Sequence, residues 1–396
     1  MIPIQASCNK GIMTLKLQGR IDSTNAEETK ASIDAVLDGK SYENLVLDLQ
    51  DLSYISSAGL RIVLTLCKKN RGMQLINVNS EIYEVFEMTG FTEMMKIKKA
   101  YKNLSVEGCE VIGTGANGKV YRIDSETIVK LYLNPDSLPD IARERELARR
   151  AFVLGVPTAI SYDIVRIGES YGTVFELLNA DSLAKIIAKT PEKLDECVKI
   201  FVDLLKTIHA TLVRPEDMPD MKAVALDWVN FLKPYLPEDK WQRLWNLTEA
   251  VPENHHMIHG DYHTKNVMMQ NGEALLIDMD TLSQGDPVFE FASIYNAFIG
   301  FNLLEDEESV CFQGYPVKYC RIFWKKLLEL YFDTTDAAFL QGVEDKSALL
   351  GYVRLMRRGL RRNFEQTEEG RQLLTCYKQK IIELVDKVDE LKLAKE

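Results

Sequence analysis

The chain has 396 residues, of which 27% are charged and 46% hydrophobic, and it carries a net charge of −11. Two domains are expected at that length, each able to bury a core, and the acidic balance argues against broad nucleic-acid binding or attraction to an anionic membrane. No signal-peptide pattern follows Met1, no apolar run of about eighteen residues predicts a membrane span, and seven scattered cysteines without a Cys-x-x-Cys pair predict reduced thiols in a cytoplasm.

Charge is uneven along the chain. Residues 1–104 hold 13 Lys and Arg against 12 Asp and Glu, so the remainder carries −12, and all five histidines lie beyond residue 200. A boundary near Lys99–Ser105 follows, with Lys98-Lys99-Ala100-Tyr101-Lys102-Asn103-Leu104 as a short polar linker. In the first part, Met13, Leu15 and Leu17 alternate with polar residues as in a strand. Asp22 to Asn25 offer caps for a helix over Ala26 to Leu37. A strand is expected over Asn44 to Leu49, a helix from Ser57 to Lys69, a strand over Met73 to Val78, a helix over Ser80 to Met88 and a last strand over Met95 to Ile97. Such alternation predicts an α/β sheet covered by helices.

The segment Asp51-Leu52-Ser53-Tyr54-Ile55-Ser56-Ser57-Ala58-Gly59-Leu60-Arg61, with Phe86-Glu87-Met88-Thr89-Gly90-Phe91 later, resembles the anti-sigma-factor antagonist (STAS) family over residues 1–100. The resemblance implies that Ser57, at the start of a helix, is a regulatory phosphosite and that the domain binds a protein partner. A helix N-terminus tolerates a phosphate. Ser56 or Ser57 acting as the helix N-cap is the structural alternative.

Residues 105–396 read differently. Gly113, Gly115 and Gly118 form a Gly-x-Gly-x-x-Gly-x-Val pattern followed by strands over Lys119 to Ile123 and Thr127 to Leu131, with Lys130 on the second. A hairpin, not a helix, after the glycines is the arrangement that lays backbone amides on phosphates in kinases. The helix Ile141 to Phe152 offers Glu144, with Glu146 as the alternative, to hold Lys130. Val174-Phe175-Glu176-Leu177-Leu178-Asn179 is a strand running into a connection, and helices are expected over Ser182 to Ala188 and Pro191 to Leu212. His209 reads as a structural core or cap histidine.

The most informative stretch is Ile258-His259-Gly260-Asp261-Tyr262-His263-Thr264-Lys265-Asn266, with Leu276-Ile277-Asp278-Met279-Asp280 beyond it. Phosphoryl transfer needs a carboxylate at the attacking hydroxyl, and an amide oxygen and a second carboxylate for magnesium. Asp261, Asn266 and Asp278 supply these groups in order. Asn271-Gly272 between two apolar runs predicts a tight hairpin that returns Asp278 to Asn266.

Together these residues resemble the aminoglycoside phosphotransferase and choline-kinase branch of the protein-kinase-like fold over about residues 108–300. Gly285-Asp286-Pro287-Val288-Phe289-Glu290 is a further match, with Glu290 where many members have Asp. Gly260 stands where protein kinases have Arg, Met279-Asp280 stands for Phe-Gly, and no Ala-Pro-Glu follows. The resemblance implies a two-lobed α+β domain, with a small lobe of about 105–178 and a helical large lobe of about 179–396. It implies ATP and Mg2+ as cofactors and a hydroxyl acceptor that is a small molecule or a protein serine. Asp261 would orient or deprotonate the acceptor, and Asn266 and Asp278 would hold magnesium with Asp280 outside them. Gly113, Gly115, Gly118 and Lys130 would bind the triphosphate, and Glu144 would position Lys130. Glu176 and Leu178 would meet adenine through the backbone. His259 would brace the loop, and His263 is expected to face solvent. Three helices, Val317 to Phe332, Lys346 to Phe364 and Glu368 to Leu393, would close the chain. Arg354, Arg357, Arg358, Arg361 and Arg362 on them are expected as a solvated basic face pairing with nearby acids, with contact to phosphate or an acidic partner as the alternative. The alternative function is a signalling protein whose STAS domain does the work and whose kinase-like part binds nucleotide without turnover.

Overall fold

A computed structural model describes residues 2–115 and 118–393. The chain divides into two compact units, Met1–Glu107 with Ile164–Gly172, and Gly108–Asp163 with Thr173–Glu396.

The first unit is built on a five-stranded sheet. Ile4–Asn9 and Ile12–Ile21 form an antiparallel hairpin about Lys10 and Gly11, both at positive φ. Asn44–Ile55, Gln74–Val78 and Lys96–Lys99 then add in parallel. Parallel neighbours need crossovers, and the helices Ala26–Leu37, Ser57–Lys69 and Ser80–Met88 provide them. Met13, Leu15, Leu17, Leu45, Leu47 and Leu49 point into the core and are fully buried. The strand Ile4–Asn9 escaped the sequence reading because five of its six residues are exposed and no alternation marks it. The expected linker is partly a strand: Lys102–Asn103 pairs in parallel with Val165–Arg166, all four residues lying within this unit. A partner some sixty positions away in sequence leaves no local trace at Lys102.

The second unit has a kinase-like arrangement, a small β-rich part followed by a helical one. Val111–Thr114 and Gly118–Arg122 form an antiparallel hairpin, which continues into Thr127–Tyr132. Ala116 and Asn117, inside the glycine motif, lie outside the described residues. Gly118 has a steric reason to be glycine: a Cβ there would stand 2.2 Å from the Leu131 carbonyl oxygen. The helix Leu138–Val153 buries Ile141, Glu144, Leu147 and Ala151 along one face. A carboxylate in that stripe demands a partner.

The helical part packs Leu194–Ala210, Pro287–Phe298 and Val317–Tyr331 around Phe201, Phe298 and Phe323, whose rings lie 4.6–5.9 Å apart. Ala337–Arg361 begins well before the expected Lys346, because Asp336 accepts the N–H groups of Ala338 and Phe339 and caps it. Glu368–Lys387 is the last helix. Met221–Phe231 and Glu238–Glu249 are two further helices. The seven cysteines are free thiols, with Cys311 and Cys320 3.1 Å apart. Among the described residues no helix is long and apolar enough to cross a membrane.

Candidate active site

The site grows from two short β elements. Val267–Gln270 and Glu273–Leu276 pair antiparallel about Asn271 and Gly272, both at positive φ as a tight two-residue turn requires. The returning strand brings the Ile277 N–H to the Asn266 carbonyl at 3.1 Å. Asp278 follows with φ +65°, a left-handed conformation uncommon for a residue with a side chain.

Upstream, the loop His259–Asn266 is held from several sides. The N–H groups of His259 and Gly260 both donate to the Glu290 carboxylate, the second at 3.0 Å. Thr281 Oγ1 donates to the His259 carbonyl at 2.7 Å, and Asn266 Nδ2 to the Asp261 carbonyl at 3.0 Å. The Tyr262 hydroxyl is buried on the Phe201 carbonyl. Gly260, at φ +78°, has no room for a Cβ, which would meet the Thr281 carbonyl oxygen at 2.7 Å. That contact explains glycine where protein kinases carry Arg. His259 is buried and braces the loop, with Nδ1 accepting from the Asp261 N–H and Nε2 3.2 Å from the Ile277 carbonyl.

Lys130 Nζ lies 2.9 Å from Glu144 Oε1 and 2.6 Å from Asp278 Oδ1. Glu144 also accepts the Tyr132 hydroxyl at 2.5 Å. Glu146 is elsewhere, paired with Arg149 and Arg150. Burial opposes the charge on Lys130, but Asp278 and then Glu144 outweigh it and hold the ammonium well above its ordinary range. The structure thus joins Lys130, Glu144 and Asp278 directly, and the hairpin and Asn266 Nδ2 tie Asp278 and Asp261 to Asn266.

Asp261 is two-fifths exposed, with its carboxylate 3.5 Å from His263 Nε2. Burial pushes its carboxyl up, but His263, Arg354 and His259 overcome that and leave it well below the usual range. Asp261 is therefore an acceptor of hydrogen bonds at neutral pH. His263 is not at the surface as expected. It is 5% exposed, packed edge-on against Phe312 at 5.1 Å, and its Nδ1 is buried without a partner among the described residues. Phe312 is 49 residues away, too far to be read from sequence.

Glu290, a motif position in the sequence, and Arg354, expected on a solvated face, both hold the loop through contacts that no local pattern announces. Glu290 is fully buried, and burial raises it to about 7 against the two loop N–H groups and Arg354. Arg354 is not part of a solvated face: it donates to the Gly260 carbonyl at 2.7 Å and to Ser293 Oγ at 2.9 Å. Of its helix neighbours, Arg357 pairs with Asp227 at 3.3 Å, while Arg361 and Arg362 are exposed. His209 is a core residue as expected, on the Tyr331 hydroxyl at 2.7 Å.

The Glu290 shift has a measurable consequence. Its folded pKa is raised above the unfolded value, so the folded chain binds the extra proton between about pH 4.5 and 7. Stability contributed there is complete at the acid end and is lost as pH rises through 7. Comparing Glu290→Gln with wild type isolates this from the opposing buried histidines. The difference between the two thermal unfolding midpoints should drift steadily from pH 5 to 8, by the equivalent of roughly 3 kcal/mol or less. Parallel profiles would refute the shift.

The groups expected to hold a metal are oxygen donors: the Asn266 amide and the carboxylates of Asp278 and Asp280. Burial, then Asp278, push Asp280 up to about 7. Among the described residues no group of three or more His, Cys, Asp or Glu converges into a protein cage. One or two protein ligands completed by phosphate oxygens is how magnesium is usually held beside a nucleotide, so the donor set fits that ion.

The connection after Ser170–Glu176 is tied down by Ile160 N–H to Glu176 Oε1 at 2.7 Å and Leu177 N–H to the Glu126 carbonyl at 2.7 Å. The Leu178 N–H has no protein acceptor among the described residues. Gly113 and Gly115 lie in the hairpin with Gly118, where a Cβ would find ordinary contacts or open space at the first two positions. In the first unit Ser57 is exposed as the first residue of its helix. Ser56 is the N-cap, yet its side chain makes no capping hydrogen bond and its Oγ is buried without a partner among the described residues.

Comparison with known proteins places both units. The sequence model of the Phosphotransferase enzyme family matches residues 108–315, and that of the STAS domain matches residues 3–104. A protein of Bordetella bronchiseptica described as "Putative anti-sigma factor antagonist BtrV" is 41% identical over 91 residues, 22% of this chain and 78% of that protein. The anti-sigma F factor antagonist of Paenibacillus polymyxa is 24% identical over 100 residues, 24% of this chain and 86% of its own. Among solved structures, apo aminoglycoside phosphotransferase APH(4)-Ia, as a thermostable mutant, has a TM-score of 0.48 at 14% identity, covering 71% of this chain and 97% of that one. ADP-bound APH(2'')-Ib has a TM-score of 0.49 at 12% identity, covering 77% and 99%. An anti-sigma factor antagonist from Mycobacterium paratuberculosis has a TM-score of 0.23 at 21% identity, covering 25% and 86%. The chain belongs to the phosphotransferase enzyme family, and it carries a STAS domain ahead of its phosphotransferase domain.

Proposed function

We propose that the chain moves the γ-phosphoryl group of ATP to a hydroxyl acceptor in a magnesium-dependent reaction, under the influence of its STAS domain. The observation that carries this reading is Lys130, held between a buried Glu144 and Asp278, with the Asp261 loop joined to Asp278 through Asn266. In the reaction the acceptor oxygen bonds to the γ-phosphorus as the bond to the β–γ bridging oxygen breaks. ADP leaves, and the acceptor's proton passes to Asp261 or, through it, to solvent.

Each group has a task suited to its surroundings. Asp261, ionised at neutral pH, accepts the hydroxyl hydrogen and aims the oxygen. Lys130 contacts phosphate oxygens, and Glu144 fixes where its ammonium can be. The backbone around Gly113, Gly115 and Gly118 covers the phosphates, and the connection at Glu176 and Leu178 receives adenine on the free Leu178 N–H. Asn266 and Asp278 would hold magnesium, whose charge neutralises the phosphates when bound. The small lobe is residues 105–178, the large lobe 179–396 and the STAS domain 1–100. Ser57, exposed on a helix start, is the candidate regulatory phosphosite of a domain that meets a protein partner, in a cytoplasmic setting.

Calorimetry of the full chain with ATP tests the reading, with and without Mg2+, alongside ADP release. Magnesium-linked binding with ADP release in the presence of an acceptor is the expected outcome. Binding with no release under any acceptor would favour a nucleotide-binding signalling protein, and no binding would end both readings.

A further inference from the structure

A run of side-chain contacts leads outward from Asp261. His263 Nε2 is 3.5 Å from Asp261, and the His263 ring lies against Phe312 at 5.1 Å. Phe312 meets Phe301 at 5.6 Å, the Arg358 guanidinium lies 4.9 Å over Phe301, and the Asp261 charge favours the charged form of Arg358 without a direct ion pair between them among the described residues. Lys265, one residue before Asn266, places its ammonium 4.5 Å over the Phe312 ring.

Two cations of this run differ from the rest. Arg354 is spent on the Gly260 carbonyl and Ser293, and Arg357 is paired with Asp227. The side chains of Arg358 and Lys265 make neither a hydrogen bond nor an ion pair among the described residues, and each rests on one of two touching aromatic rings. Arg358 is exposed, as the sequence led one to expect; partial burial, then the neighbouring Arg362 and Arg354, act against its charge, and Asp261 is the carboxylate that acts for it. An additional anion would relieve that imbalance. The loop between the rings carries four acids. Glu307 pairs with Arg321 at 2.9 Å and Glu308 with Lys318 at 2.8 Å, both on the Val317–Tyr331 helix. Glu305 and Asp306 remain as the groups that could favour a cationic acceptor instead.

We propose that the acceptor is a small hydroxyl compound bearing an anionic group, a hydroxy acid or a phosphorylated alcohol, whose negative end is held by Arg358 and Lys265 while its hydroxyl meets Asp261. Arg354 and Arg358 are four residues apart on one helix, about 6 Å along the axis. That puts the anion a few atoms from the reacting oxygen, with guanidinium and ammonium as donors to carboxylate or phosphate oxygens. An amino alcohol or aminoglycoside would meet like charge there.

This inference rests on the phosphotransferase reading, and the test separates the two. The full chain with Mg2+ and ATP is given D-glycerate and glycerol 3-phosphate in one arm, and choline, ethanolamine and kanamycin in the other, with ADP release as the readout. The expected result is stimulation above the acceptor-free rate in the anionic arm alone; glycerate against glycerol 3-phosphate tells carboxylate from phosphate. Arg358→Glu should raise the acceptor KM by about tenfold or more with kcat little changed, as loss of uniform binding does. Arg358→Lys should recover part of it, which a merely structural arginine would not show. Stimulation by the cationic arm, silence of the whole panel, or an unmoved KM in Arg358→Glu each overturns the proposal. Absence of any Mg·ATP binding by calorimetry would instead overturn the phosphotransferase reading beneath it.

Discussion

Replacing Asp261 with alanine should lower kcat by about a thousandfold, within the 10²–10⁴ range of a positioned acid–base group, with nucleotide affinity hardly changed. The reasons are local. The Asp261 carboxylate is exposed enough to meet an acceptor, while its backbone is fixed on both sides by His259 and Asn266. Its pKa lies well below the usual range, so it is a poor proton sink in the ground state. A loose phosphoryl-transfer transition state asks little of a base until late, and orientation of the attacking oxygen is the larger demand. Asp261→Asn keeps an acceptor oxygen in place and should therefore retain more activity than Asp261→Ala, while still falling well short of wild type. Equal loss in both would mean that charge, not orientation, dominates; no loss in either would remove Asp261 from the chemistry. The loop should survive both changes, because Glu290, Thr281 and Arg354 hold it through His259 and Gly260 and do not touch the Asp261 side chain.

The contrast between what sequence foretold and what it did not follows from distance along the chain. Helices Ala26–Leu37, Ser57–Lys69 and Ser80–Met88 begin and end where their caps and apolar stripes predict. The turn at Asn271-Gly272 is a two-residue signal, and it is sufficient to bring Ile277 back to Asn266. Lys130 and Glu144 are only 14 residues apart, and a buried acid on an apolar helix stripe needs a cation. Arg354 reaches Gly260 across 94 residues, and Phe312 covers His263 across 49. Neither contact has a local pattern. A run of arginines looks the same whether it faces water or plugs a loop, and a histidine beside a reactive loop looks the same buried or exposed. The strand pairing of Lys102 with Val165 failed for that reason too. Sequence thus carried the residues proposed to bear the chemistry, whereas the groups that aim them came from tertiary packing.

The second large effect belongs to Lys130. Lys130→Met should reduce kcat/KM for ATP by about a hundred- to a thousandfold, the usual cost of removing one preorganised donor from a transferring phosphoryl group. It should also lower stability, because Glu144 is only 5% exposed and would lose its cation. Tyr132 would still donate to Glu144, which limits that loss. Glu144→Gln acts more gently. The ammonium then answers to Asp278 alone, at 2.6 Å, and drifts toward the group proposed to hold magnesium. The expected signature is a KM for ATP raised by about tenfold with a smaller fall in kcat. The double variant decides whether the two residues act as one unit. If Glu144 matters only because it positions Lys130, then Lys130→Met with Glu144→Gln should be no slower than Lys130→Met alone, and the two effects on kcat/KM should not add. Independent, additive losses would show that Glu144 serves the nucleotide by another route, and the pairing at 2.9 Å would then be a structural contact only.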